Sequence, residues 1–350
     1  MKKNNFLKYA CYALIMMGTL SACSSSDDDV VVPDIPPSDG TVMTLEGGPG
    51  DNAAENGVFV DFSTESQSPV KRDSWDLALY SGSQFRAKLN NMTGAAAIGT
   101  DETDFSAINS ANFDITTLAV GQGRGTMDMV DAPDGSLEGT AIAEISTNDN
   151  DNKIYVINTK GGTNVSADAV YKVRVLRKGT DGYTVQYAQL DATSFESIDV
   201  TKDADYNFQY VSFTTKKVVS VEPKKTDWDV VWGYHMYYTS FNGNTIPYGF
   251  ADLILINHLA GVSAVEVLTE NVSYEDFAES NLNGITFSTD VDVIGANWRS
   301  TSSGIKKDRF YVVKDAAGNI YKLKFNSMGL GDDAGKRGYP EIEFKLVKRG

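Results

Sequence analysis

A long internal repeat constrains the fold of this chain more than any other feature of its sequence. Residues 58–79 and 209–232 carry a similar run of hydrophobic residues before a Trp-Asp pair. The matching residues are Phe62 with Phe213, Trp75 with Trp228, and Asp76 with Asp229. A repeat of so long a period indicates two structural units of similar fold.

Hydrophobic and polar residues alternate in many short segments, including 171–175, 321–325 and 341–346. This alternation is typical of strands that bury one face. Turn signals that contain glycine separate the segments, and no long helical period is present. The sequence therefore predicts an all-β protein of antiparallel sheets, with two related units in tandem over 48–205 and 206–350.

The start of the chain has the pattern of an export signal. Lysines precede a hydrophobic stretch that is too short to span a bilayer, and the tetrapeptide LSAC then ends at Cys23. This tetrapeptide resembles the lipobox of bacterial lipoproteins, in which the cysteine is lipidated. We therefore expect a signal peptide over 1–22 and a disordered acidic tether over 23–47. Lipid on Cys23 would be the only membrane attachment.

Charge and cysteine content exclude several classes of function. The formal net charge is −16, and nucleic-acid binding needs clustered Lys and Arg, so no nucleic-acid partner is expected. Both cysteines, Cys11 and Cys23, lie in the predicted signal and lipidation segment. The rest of the chain therefore has no disulfide, no thiolate metal site and no cysteine nucleophile. No Ser-His-Asp arrangement can be read either, and an enzyme is not expected.

The chain has two histidines, His235 and His258, and both follow the second Trp-Asp pair. A turn signal at 242–243 lies between them, so a hairpin-like pairing could bring both imidazoles to one gap. Two neutral imidazoles suit six-coordinate haem iron, and Met236 is a further soft ligand candidate. Zinc is less favoured, because no third histidine and no cysteine is available. Two structural or exposed histidines are the alternative interpretation.

Aromatic and basic residues nearby are candidates for contacts with the rest of such a cofactor. Tyr237 and Tyr248 would contact the macrocycle as part of an aromatic wall. Arg299, Lys306 and Lys307 lie in a polar loop of the same half and are either partners of the propionates or solvated loop charges. The second interpretation of these three charges is slightly favoured.

Together these features resemble the HmuY family, the haem-binding surface lipoproteins of Bacteroidetes. The lipobox, the acidic residues after it, the all-β body and the motif K-x-D-W-D at 225–229 carry the resemblance, which is best over 209–350. It implies that His235 and His258 are the axial ligands of haem (iron protoporphyrin IX), although family members also use paired methionines. It further implies a lipid-anchored protein, exposed on the outer membrane, that takes haem from host haemoproteins and passes it to a TonB-dependent receptor.

A different class of function also remains open. Aromatic side chains on β-sheets stack on sugar rings, so the protein could be a surface glycan-binding or adhesin lipoprotein. The candidate side chains are Trp232, Tyr234, Tyr237, Tyr238 and Tyr248. A purely structural surface protein would bind neither haem nor glycan.

Overall fold

The computed structural model describes residues 40–50 and 54–350, and this part of the chain is all-β with antiparallel strands, as predicted. The described residues contain no α-helix, only short 3-10 turns. These turns are Phe105–Ala107, Ile115–Leu118, Met127–Met129, Asp149–Asp151, Ala167–Ala169, His258–Ala260 and Glu279–Leu282.

Twenty strands follow one another in the part of the chain that the structure describes. The first ten are β1 (Thr41–Thr44), β2 (Asn56–Asp61), β3 (Ser66–Lys71), β4 (Leu77–Tyr80), β5 (Ala87–Leu89), β6 (Ala96–Gly99), β7 (Tyr155–Asn158), β8 (Val170–Arg177), β9 (Gly182–Gln189) and β10 (Glu196–Thr201). The others are β11 (Phe208–Ser212), β12 (Lys217–Val219), β13 (Val230–Phe241), β14 (Asn244–Ile256), β15 (Ser263–Leu268), β16 (Arg299–Ser300), β17 (Gly304–Ile305), β18 (Arg309–Lys314), β19 (Ile320–Ser327) and β20 (Glu341–Lys348).

The strands form four main sheets of two kinds. Two five-stranded sheets have the orders β1-β20-β19-β18-β15 and β10-β9-β8-β7-β6. Two four-stranded sheets have the orders β12-β11-β4-β5 and β14-β13-β2-β3, and β16 pairs with β17 in a separate ribbon. The same strand arrangement therefore occurs twice among the described residues. That it arose by duplication stays a prediction.

Each four-stranded sheet combines strands from both halves of the chain. Val230 of β13 lies opposite Val60 of β2, and Val211 of β11 lies opposite Leu77 of β4. A hairpin from one half thus extends a sheet of the other half, and the described residues, 40–50 and 54–350, belong to one compact unit. The predicted boundary after residue 205 separates strands that are hydrogen-bonded neighbours.

The Trp-Asp pairs join the two halves at these sheets. The Asp229 carboxylate accepts a hydrogen bond from the backbone N–H of Phe62 at 2.8 Å, and the Asp76 carboxylate accepts one from Phe213 at 2.7 Å. Burial raises the pKa of Asp76 to about 6 and raises that of Asp229 well above its usual value. Each buried carboxylate therefore satisfies a backbone donor of the other half, which would otherwise be left without a partner.

The hydrophobic core of the second half also contains residues from the start of the chain. Leu45, Val60 and Phe62 pack in one buried cluster with Trp232 and Trp298. Burial of aromatic side chains of this size dominates the energetics of a core. The second half therefore has an incomplete core without β1 and β2.

The predicted tether was wrong at its C-terminal end. Thr41–Thr44 form β1, and Thr41 lies opposite Phe344 of β20. The predicted signal peptide, the lipidated Cys23 and most of the tether lie outside the described residues. Within 40–50 and 54–350, no helix has the length and hydrophobicity that a membrane crossing requires.

Candidate functional site

The two histidines lie on and just after a long hairpin, β13–β14. Its turn is Asn242-Gly243, and both residues have positive φ, 50° and 81°. Two successive residues with positive φ form the type I′ turn that matches the twist of a β-hairpin, and Asn-Gly is a preferred sequence for it. The hairpin predicted from this dipeptide is confirmed.

A β-bulge interrupts the hairpin next to His235. Gly233 lies opposite Leu253 and His235 lies opposite Phe250, so two residues of β14 face one residue of β13. One of the two, Asp252, has a φ of 55°, which is uncommon for a residue other than glycine. Bulges redirect side chains and release backbone groups from the ladder, and they are frequent beside functional sites.

His235 is buried and has no hydrogen-bond partner. Its exposed fraction is 1%, and neither Nδ1 nor Nε2 contacts a donor or acceptor among the described residues. Burial lowers the pKa of His235 to about 3, and the nearby charges of Arg72 and Lys88 add to the shift. The imidazole is therefore neutral at physiological pH and keeps a free lone pair. A buried polar group without a partner is rare and calls for an explanation.

His258 begins the 3-10 turn after β14, and Asn257 fixes its position. The Asn257 side chain donates to the carbonyls of Lys225 and Trp228 at 2.9 and 3.0 Å, and its oxygen accepts from Asn207. The His258 ring is half-buried, and burial lowers its pKa to about 4. This imidazole is also neutral at physiological pH.

Both histidines line one cavity of about 130 Å³. Residues of both four-stranded sheets form its walls, which are mostly apolar and aromatic. The aromatic and sulfur-containing lining residues are Phe59, Trp75, Met92, Phe208, Tyr210, Trp228, Met236 and Tyr237. Soft and aromatic side chains beside two imidazoles are compatible with a flat aromatic cofactor.

The structure places the other predicted site residues in two locations. Met236 and Tyr237 line the cavity with the histidines, and the Tyr237 hydroxyl donates to Asp292. Tyr248 lines a different cleft, and Arg299 lies in that cleft as well. Trp232 has an exposed fraction of 1%, so it cannot stack on a surface glycan as the alternative hypothesis required.

Three charged residues line the cavity that the sequence analysis did not predict as site residues. Lys88 and Asp131 belong to the first half and carry no motif, and Glu222 precedes the second Trp-Asp pair. The Asp131 carboxylate accepts from the N–H groups of Leu89 and Ala141, and burial raises its pKa to about 6.

Glu222 is similarly buried against the cavity. Its carboxylate accepts from the N–H of Phe208 at 2.7 Å, and burial raises its pKa to about 7. Lys88 forms no ion pair with a described carboxylate, and its Nζ lies 5.7 Å from the Phe208 ring centroid. The cavity therefore contains one amine and two carboxyls of raised pKa beside the imidazoles.

The donor set of this cavity fits a haem iron, whereas its volume is too small for the whole group. Pockets for drug-sized ligands measure about 300–1,000 Å³, and haem is at least as large as such ligands. A methyl group added at Gly135 would lie 2.7 Å from His258 Nε2, so the loop that contains Gly135 closes over this ring. Haem would enter only if that loop moved. In the described part of the chain, no group of three or more His, Cys, Asp or Glu side chains could hold a metal ion.

Comparison with protein families matches residues 204–344 to the model described as HmuY protein. Neither curated proteins nor solved structures gave a match. The matched residues include the second Trp-Asp pair, the β13–β14 hairpin and both histidines. Over residues 204–344, the chain is therefore similar to the HmuY family.

Proposed function

We propose that this protein binds haem between His235 and His258. The observation that carries the proposal is the fully buried His235 ring, whose two nitrogens have no partner among the described residues, in a cavity that His258 also lines. An unsatisfied buried donor or acceptor costs about 1–3 kcal/mol, and ligation of a metal would remove that cost. The HmuY match over 204–344 supports the same ligand.

The residues of the chain would act through their protonation state and position. Bound haem would supply an iron that accepts nitrogen lone pairs, and His235 and His258 would hold it. Burial keeps both imidazoles neutral, so no proton has to be displaced near pH 7. Asn257 holds His258 in place, and the aromatic walls exclude water. Lys88 is the cation at this cavity that could pair with a propionate.

We further propose where the protein is located and how it transfers haem. The lipobox that ends at Cys23 supports a lipid anchor in the outer membrane, and the family supports exposure at the cell surface. We propose that the protein takes haem from host haemoproteins and delivers it to a TonB-dependent receptor. Binding and transfer by this chain would involve no catalytic step.

Titration of the purified protein with hemin tests the proposal. We expect a sharp Soret band and, after reduction, split α and β bands, because two nitrogen ligands make the iron six-coordinate. His258→Ala should remove this spectrum, whereas Asn91→Ala should keep it, since Asn91 lines the same cavity without an imidazole. A hemin spectrum identical to that of free hemin, or a spectrum unchanged in His258→Ala, would refute ligation by this pair.

The affinity for haem should depend on pH only in the acid range. The pKa values of His258 and His235 lie at about 4 and about 3, so both rings stay neutral down to about pH 5. We expect a constant affinity between pH 8 and 5, followed by a fall of about tenfold per pH unit as His258 is protonated.

Hemin titration at intervals of half a pH unit measures this dependence. Glu222 and Asp131 face the same cavity with pKa values of about 7 and about 6. If the affinity for haem already falls between pH 7 and 6, protonation of these carboxyls controls it. That result would contradict control of the affinity by the imidazoles. Glu222→Gln is the matched variant, because it keeps the size of the side chain and removes its titration.

A further inference from the structure

A second cleft lies beside the same hairpin and has different chemistry. Its volume is about 320 Å³, which falls in the range of small-molecule sites. Its walls include the rings of Tyr234, Tyr248 and Phe250 and the apolar side chains of Met328 and Leu330. Two arginines, Arg299 and Arg337, also line it.

Arg299 is a buried cation with few partners. Its exposed fraction is 7%, and it forms no ion pair within 4.0 Å with any residue of the described part of the chain. Its Nη2 donates to the carbonyl of Ala251, whereas Nε and Nη1 donate to no described residue. The carbonyl of Ala251 is available because the β-bulge takes this residue out of register with β13.

The nearest carboxylate of the cleft is already occupied. Asp252 pairs with Arg337 at 2.7 Å and also lies on the bulge. Asp252 acts on Arg299 only at a longer distance, where it favours the charged form. Among the described residues that line it, the cleft holds two guanidinium groups and one carboxylate, and that carboxylate pairs with Arg337 and not with Arg299.

The positively charged arginines of this cleft contrast with the acidic net charge of the protein. The net charge of −16 repels anions from the surface as a whole, so an anionic ligand needs a local cation. A guanidinium offers parallel N–H donors that match a carboxylate, and such charge-assisted pairs are the strong ones. The surrounding tyrosine and phenylalanine rings provide flat surfaces for the body of a ligand.

We propose that this cleft binds a small carboxylate whose body is a ring, with Arg299 pairing to the carboxylate and Tyr248 contacting the ring. Two sources share this chemistry, namely sugar acids and aromatic acids. Tyr248 has an exposed fraction of 39%, so its ring is accessible from solution. Arg299 does not line the cavity of the two histidines, and the proposal is independent of haem binding.

Calorimetric titration with D-glucuronate and with benzoate tests the proposal and separates the two sources. Glucose and benzyl alcohol are the neutral counterparts. We expect at least one acid to bind with a dissociation constant of millimolar or below, and its neutral counterpart to bind at least about tenfold more weakly. Arg299→Gln should weaken binding of that acid by at least about tenfold. Arg124→Gln is the matched control, because Arg124 is exposed and lies outside the cleft.

Other outcomes would overturn the proposal. Equal binding of acid and neutral counterpart, no binding of either acid, or unchanged binding in a folded Arg299→Gln variant each contradicts it. If Arg299→Gln fails to fold, the Tyr248→Ala variant tests the proposal instead, because the side chain of Tyr248 is partly exposed. That variant should weaken binding of the ring-bearing acid by at least about threefold, and unchanged binding refutes the contact. Hemin titration should be the same in all these variants.

Discussion

Replacement of His235 by leucine is expected to stabilise the haem-free protein and to abolish haem binding. The wild-type ring buries two nitrogens without hydrogen-bond partners, and leucine has a similar volume without polar atoms. Removal of buried unsatisfied groups should raise the free energy of unfolding by about 1–3 kcal/mol at pH 7. Urea unfolding of the haem-free variant measures the gain, and hemin titration measures the loss of ligation.

The gain in stability should grow at acid pH. The pKa of His235 is about 3 in the folded protein and about 6.5 in the unfolded chain, so the unfolded chain binds more protons between these values. The wild type therefore loses stability as pH falls from about 6.5 towards 3, whereas the leucine variant lacks this contribution. At pH 4 the difference should reach about 2–4 kcal/mol beyond the value at pH 7.

His258→Leu is the matched control, because its ring is only half-buried. Its nitrogens are not among the buried atoms without partners, so we expect a smaller gain in stability and the same loss of haem binding. If His235→Leu destabilised the haem-free protein by more than about 1 kcal/mol, the ring nitrogens would have partners in solution. The buried ring would then no longer be evidence for a ligand.

A fragment of residues 206–350 is expected not to fold on its own. It contains all but the first two residues of the family match at 204–344. It lacks β1, which pairs with β20, and the β2–β3 hairpin, of which β2 pairs with β13. Its core would lose Leu45, Val60 and Phe62. Three strands, β11, β13 and β20, would gain unpaired edges. Exposed edges and an incomplete core favour aggregation. Circular dichroism and sedimentation of the isolated fragment measure this outcome.

Mixing the fragment with residues 40–205 should restore the fold and haem binding, because the missing hairpin and core residues then return in trans. A fragment that extends from residue 40 to the end of the chain is the positive control. If residues 206–350 alone gave a monomer with a cooperative unfolding transition, the halves would be separate domains, as the boundary at 205 and 206 predicts.

Local features of the sequence predicted the β class and the hairpin correctly. Alternation predicts a strand from its own residues, and Asn242-Gly243 predicts a turn from its own backbone preferences. The placement of His235 and His258 in one cavity follows from this hairpin together with the Asn257 contacts. That the two rings ligate haem stays a prediction.

Long-range features could not be read from the sequence in the same way. Alternation says which face of a strand is buried, but it does not identify the strand beside it, so the pairing of β2 with β13 had no signal. Lys88 and Asp131 reach the cavity only through this pairing of the halves. The sequence predicts a tether where β1 lies, because four residues at the edge of a sheet bury too little surface to show a clear hydrophobic pattern. The bulge at Asp252 had no glycine to mark it.

The pairing of β1 with β20 constrains the order in which the strands of the chain can fold. Thr41 lies opposite Phe344, so this edge of the sheet cannot close until the segment that contains Phe344 has been synthesised. Contacts at such sequence separation slow folding, because the entropy of loop closure is lost before the contacts can compensate for it. β1 must therefore stay soluble and unpaired until β20 emerges, whereas β2 and β3 or β8 and β9 can pair with each other earlier.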